Sequence, residues 1–108
     1  MLNFENLVNE VMNEITALAR EKLGGLVNEA KEDARSFLKG TEEDFKRWFT
    51  LLKDGKLTRD DFIWLSKSKK DLIEMFALKQ AGLSQVKMQQ FANNLLDILL
   101  GSAFKLLA

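Results

Sequence analysis

The sequence predicts an all-α protein, a helical bundle of four to five helices that opens with a long amphipathic helix. Three observations carry that prediction. The chain has no proline and only six glycines in 108 residues, so it contains few helix breakers. Apolar residues recur at spacings of three and four along most of its length, the periodicity of a helix with one buried face. No stretch alternates apolar and polar residues between turn dipeptides, as a half-buried strand would. At this length residues 1–108 are expected to form one domain. A composition of 46% apolar and 30% charged residues suits a globular core.

Residues 2–39 place Phe4, Val8, Val11, Ile15, Leu18, Leu23, Leu26, Ala30, Ala34 and Phe37 on one face. Nine steps cover the 33 positions from Phe4 to Phe37, close to an eleven-residue repeat, which winds straight or slightly right-handed. Gly24-Gly25 interrupts the run without losing its phase, so this segment reads as one long helix or as a pair broken at the glycines. Gly40 suits the position just past a helix end, and Thr41 with Asp44 reads as the next N-cap. A helix over about 42–53 then presents Phe45, Trp48, Phe49 and Leu52. Asp54-Gly55 turns the chain, making 54–58 a helix corner. Thr58 is an N-cap ahead of Asp60 and Asp61, which favour the positive end of a helix. The following helix, about 59–80, carries Phe62, Leu65, Leu72 and Phe76 toward the core. Gly82 and Ser84 form a second corner at 81–84. A last helix of about 85–100 presents Val86, Phe91, Leu95 and Leu99, ends at Gly101, and leaves a short apolar tail. Both tryptophans are expected in the core.

Composition narrows the chemistry. Cysteine, histidine and tyrosine are absent, which removes disulfides, thiolate metal sites, the commonest general base and the commonest transition-metal ligand. Sixteen basic residues balance sixteen acidic ones, so no global field draws in nucleic acid or anionic lipid. Serines occur with no base to activate them. The expectation is therefore no enzyme, no cofactor and no metal site. No basic leader precedes an apolar segment at the N-terminus, and the most apolar stretch, residues 95–108, is too short to span a bilayer. The expected location is the cytoplasm.

Three short motifs resemble functional ones. "DGKLTRDDF" (residues 54–62) resembles the C-terminal half of an EF-hand calcium loop, with Gly55 at the invariant glycine. The first and third ligand positions would then be Thr50 and Leu52, and the twelfth Asp61 instead of a bidentate glutamate, too few oxygens for calcium. Glu29 and Glu32 resemble the first carboxylate pair of helical nucleotide pyrophosphohydrolases. No Glu-x-x-Asp follows, and with Lys31 and Arg35 they form a charged outer face with partners one turn apart. "FALKQAGLSQVKMQQFANN" (residues 76–94) resembles a DNA-binding helix-turn-helix. That resemblance implies base-edge contacts from Gln85, Gln89, Gln90 and Asn93, with Lys87 on phosphate. Leu78 stands where the motif usually has a small residue, and Lys87 is the only cation in the second helix, although residues 62–108 hold six lysines against three acids.

Length points to the leading functional reading. A continuous helix over 2–39 would measure about 55 Å, against a radius of gyration of about 13 Å for a compact domain of about 100 residues. The remaining helices would leave its apolar face open, and such a face calls for a partner. A homo-oligomer, most simply a two-fold dimer, is expected to bury Leu7, Val11, Ile15 and Leu18, together with Leu99, Phe104 and Leu107 near the C-terminus. The sequence thus reads as a non-enzymatic interaction module that self-associates, with an unidentified protein partner as a further possibility and DNA binding through 85–94 as the alternative.

Overall fold

The apolar run from Phe4 to Phe37 is divided between two helices, and the division sets the architecture. The computed structural model describes residues 3–107. Helix α1 spans Phe4–Lys22, α2 Val27–Gly40, α3 Glu42–Lys53, α4 Arg59–Lys67, α5 Phe76–Gln80 and α6 Gln85–Leu107, with one 3-10 turn at Lys70–Leu72. The class is all-α as predicted, and the described residues form six helices in place of four to five.

Gly24 and Gly25 adopt φ values of 60° and 84°, in the left-handed region that costs other L-residues about 1–2 kcal/mol. The Gly25 amide donates back to the Ala19 carbonyl at 3.3 Å, and α2 then packs along α1, with α6 on α1 as well. The 55 Å rod does not form. The molecule measures 42 × 24 × 19 Å with a radius of gyration of 13.6 Å. Leu7, Val11 and Ile15 have no exposed surface. One chain therefore covers the α1 face that the sequence reading assigned to a second copy.

Helix ends show where local signals held. Asn3 and Asn6 exchange side-chain-to-backbone hydrogen bonds at 2.9 and 3.0 Å, a reciprocal cap that starts α1. Thr58 accepts from the Asp61 amide at 3.0 Å, as predicted. The 54–58 corner is a Schellman turn: the amide of Lys56 donates to the Leu51 carbonyl at 2.8 Å and that of Gly55 to Leu52 at 3.2 Å. Leu57 is half-buried against the core.

Other ends differ from the prediction. Gly40 is the last residue of α2, outside the left-handed region. Thr41 occupies the N-cap position of α3 as predicted but makes no side-chain cap: its buried hydroxyl donates to the Phe37 carbonyl at 2.7 Å, so α2 runs into α3 across one residue. Gly101 does not end α6. A side chain there would meet nothing within 4 Å, and the helix passes through it to Leu107 because Ser102 and Ala103 continue its buried face. The predicted helix over 59–80 is three pieces. α4 stops at Lys67, Lys69 turns back to Asp44, and Ile73 and Leu78 go into the core while Leu72 and Phe76 face out.

The core joins Leu7, Val11 and Ile15 of α1 to Leu38, Phe45, Phe62, Phe91, Leu95 and Leu99. Edge-to-face pairs Phe37–Phe45 and Phe62–Phe104, with centroids 6.0 and 5.9 Å apart, link α2 to α3 and α4 to α6. Among the described residues no helix is long and apolar enough to cross a membrane.

Candidate functional site

Among the described residues four large apolar side chains are exposed, and all lie between residues 64 and 86: Trp64 at 71%, Leu72 at 53%, Phe76 at 69% and Val86 at 67%. Their neighbours explain why. In α4 the buried positions are Phe62 and Ser66, one turn apart. Trp64 lies two residues from each, on the opposite side of the helix. The hydroxyl of Ser66 is sealed from solvent without a hydrogen-bond partner. Lys69 then ends this region of the chain firmly. Its ammonium lies 2.7 Å from the Asp44 carboxylate and 5.6 Å from the centre of the Trp48 ring. That hydrogen bond holds the Asp44 carboxyl below its ordinary pKa, against the opposing effect of burial and with Arg47 adding to it.

Helix α5 has only five residues, too few to hold together unaided. A residue from far away starts it. Asp33, 2% exposed, accepts from the amides of Ala77 at 3.0 Å and Leu78 at 2.9 Å, one through each carboxylate oxygen. These are the otherwise unpaired donors of a helix N-terminus, which favours negative charge. In the sequence Asp33 stands beside the Glu29–Glu32 pair and carries no signal of its own. Glu32 and Arg35 are exposed on α2, but Asp33 points into the protein. With Leu78 buried beneath it, α5 is pinned to α2, and Leu72 and Phe76 are held outward.

Those two side chains border a cleft of about 330 Å³ against α2, lined also by Ser36, Phe37, Gly40, Thr41 and Glu74. A somewhat smaller recess shares Gly40 and Thr41 and adds Lys39, Glu42, Glu43 and Asp44. The result is an apolar floor with an acidic rim. Glu42, Glu43 and Glu74 form no ion pair among the described residues, where Asp44 pairs with Arg47 and Lys69.

The residues singled out from the sequence fall in three places. Leu99, like Leu7, Val11 and Ile15, lies in the core of the single chain. Leu18 is half-buried beside an open groove between α1 and α6, Phe104 lies under the Arg59 guanidinium at 5.0 Å, and Leu107 lines a recess with Leu52 and Leu57. Gln85, Lys87, Gln89, Gln90 and Asn93 are all exposed at the start of α6. A second Schellman turn precedes them, the Leu83 amide donating to the Leu78 carbonyl at 3.1 Å, with Gly82 at φ 87°. No group of three acidic side chains among the described residues is placed to hold a metal ion.

Sequence reasoning missed Trp64, Leu72 and Phe76 as surface residues because it extended one helical phase through 59–80. The serines and lysines of "SKSKK" were the available sign that the phase breaks there. Comparison of the chain with known protein families, with curated proteins and with solved structures finds no match.

Proposed function

We propose that the chain is a non-enzymatic interaction module that associates with itself through residues 64–86. The observation that supports this reading is the gathering of four exposed large apolar side chains in that one segment. Burying such a side chain is worth roughly 1.5–3 kcal/mol, and association costs at least about 4 kcal/mol of lost freedom. Four side chains thus support a weak complex, dissociating in the micromolar range or above. A cytoplasmic location goes with this reading. Light scattering after size exclusion, from micromolar to near-millimolar protein, tests it: the mass per particle should rise with concentration, and a constant single-chain mass across the range would defeat it.

One observation favours DNA binding as a second reading. Gln85, Gln89 and Asn93 recur every fourth residue on the exposed start of α6, with Lys87 beside them, where glutamine and asparagine suit adenine edges. With Lys87 the one cation among residues 85–94, phosphate attraction is slight. A duplex mobility assay at low salt decides: retention that Lys87→Glu with Gln89→Glu abolishes would support it, and no retention would end it.

A further inference from the structure

We infer that Trp64 of one copy inserts into the Leu72–Phe76 cleft of a second copy, so that each chain carries both the plug and the socket. The inference rests on the self-association proposed above and names its contact. Trp64 is the largest exposed apolar side chain, and Leu72 and Phe76 form the rim of an apolar cleft floored by Phe37. A buried aromatic anchor in a pocket is the usual centre of an interface. The helix that carries Trp64 is fixed from behind by buried Phe62 and Ser66, which flank it in sequence.

Charge selects the second copy as the occupant. Lys67 is exposed three residues after Trp64, on the same side of α4, and forms no ion pair among the described residues. The socket's rim carries Glu74, with Glu42 and Glu43 in the adjoining recess, also without ion pairs. Asp60 and Asp61 lie one turn before Trp64, at the acidic end of α4. The exposed Lys39 lies in the same recess as Glu42 and Glu43. Only one direction of α4 across the socket brings Lys67 toward Glu74 and keeps Asp60 and Asp61 away from it. The segment therefore supplies an apolar anchor, a matching cleft and an orientation. A two-fold dimer would satisfy both plugs at once.

Complementation tests the pairing. Trp64→Ser removes the plug and leaves the socket, and Phe76→Ser weakens the socket and leaves the plug. Both replaced side chains are mostly exposed, so each variant should keep the wild-type helical circular dichroism. By light scattering each variant alone should run as a single chain at concentrations where the wild type is dimeric. An equimolar mixture should recover a dimer, because one plug and one socket remain intact between the two. Wild-type dimers that both substitutions leave unchanged would overturn this contact and leave self-association standing elsewhere. A wild type that stays a single chain at every concentration would overturn both. Failure of the mixture to associate would overturn the plug-and-socket pairing. A charge exchange provides an independent check: Lys67→Glu should weaken the dimer several-fold, and Glu74→Lys in the same chain should restore it. If Glu74→Lys instead weakens it further, the orientation is wrong and the inference falls.

Discussion

Helix α1 and the segment 64–86 are similar in length and rich in large apolar residues, yet they use them in opposite ways. α1 buries Phe4, Leu7, Val11, Met12, Ile15 and Ala19. The later segment buries Ile73 and Leu78 but leaves Trp64, Leu72, Phe76 and Val86 outside. The difference lies in helix length. Nineteen residues of uninterrupted helix give α1 one well-defined apolar face, which the core covers but for the half-buried Val8 and Leu18. In 64–80 the helix is cut into short pieces, and these are oriented by something distant: Asp44 on Lys69, and Asp33 on the start of α5. Val86 is outside because it lies in the first turn of α6, ahead of its first buried position, Phe91. Periodicity forecasts burial only where one helix carries it.

The sharpest way to break the contrast is to put one charge in each region. Ile15→Asp places a carboxylate where no surface is exposed. Such a change costs about 4–5 kcal/mol or more, from about a third to all of a typical total stability of about 5–15 kcal/mol. Trp64→Asp, at a position 71% exposed, should change the stability of the dilute single chain by no more than about 0.5 kcal/mol. Urea unfolding followed by circular dichroism checks both. An Ile15→Asp protein that kept its fold and lost only its ability to associate would return α1 to the interface and refute the contrast.

Asp33 comes next in expected size. Replacing it with alanine leaves two amides at the start of α5 without their acceptor, and an unsatisfied buried donor costs about 1–3 kcal/mol. A loss of about 2–4 kcal/mol is expected for Asp33→Ala, with Asp33→Asn falling between it and the wild type because one acceptor oxygen remains. Hydrogen exchange provides the local readout. The amides of Ala77 and Leu78 should lose protection, and those of α1 should lose it only as far as global stability falls. Equal loss everywhere would mean that Asp33 supports the core as a whole and does not specifically pin α5.

How much of this was legible in the sequence follows from the range of each interaction. The sequence leaves Gly24-Gly25 open between one helix and two, because the apolar phase runs on across it. The Thr58 cap and the glycine turns at 55 and 82 depend on residues within a turn of one another, and they could be read directly. Gly40 and Gly101 could not, because whether a glycine ends a helix depends on whether the next residues have something to pack on. Thr41 reads as a cap by type, but its buried position turns its hydroxyl back to Phe37. Asp33 is the extreme case. Its partners lie 44 and 45 residues away, and next to Glu29, Glu32 and Arg35 it looks like one more member of a solvated face. The candidate surface inherits that blindness: Leu72 and Phe76 are outside because α5 is anchored from α2.

The smallest expected effect concerns Lys69, which holds the break after α4 in two ways that pH separates. The Lys69 hydrogen bond lowers the pKa of Asp44. A carboxyl depressed by folding contributes stability that is present above its unfolded-state value and is lost as pH falls through its lower folded-state value. The packing of the Lys69 ammonium over the Trp48 ring, at 5.6 Å, does not depend on that proton. Lys69→Met keeps an unbranched side chain for the ring and removes the charge. At neutral pH its urea midpoint should lie slightly below the wild type's. The gap should narrow on acidification into the range where Asp44 becomes protonated, and what persists there measures the lost contact between the cation and the ring. Carboxyl resonances followed by NMR should show Asp44 titrating higher in the variant. A gap that stays constant with pH, with no movement of the Asp44 titration, would mean that the Asp44 pair contributes nothing and that only the tryptophan holds this lysine in place.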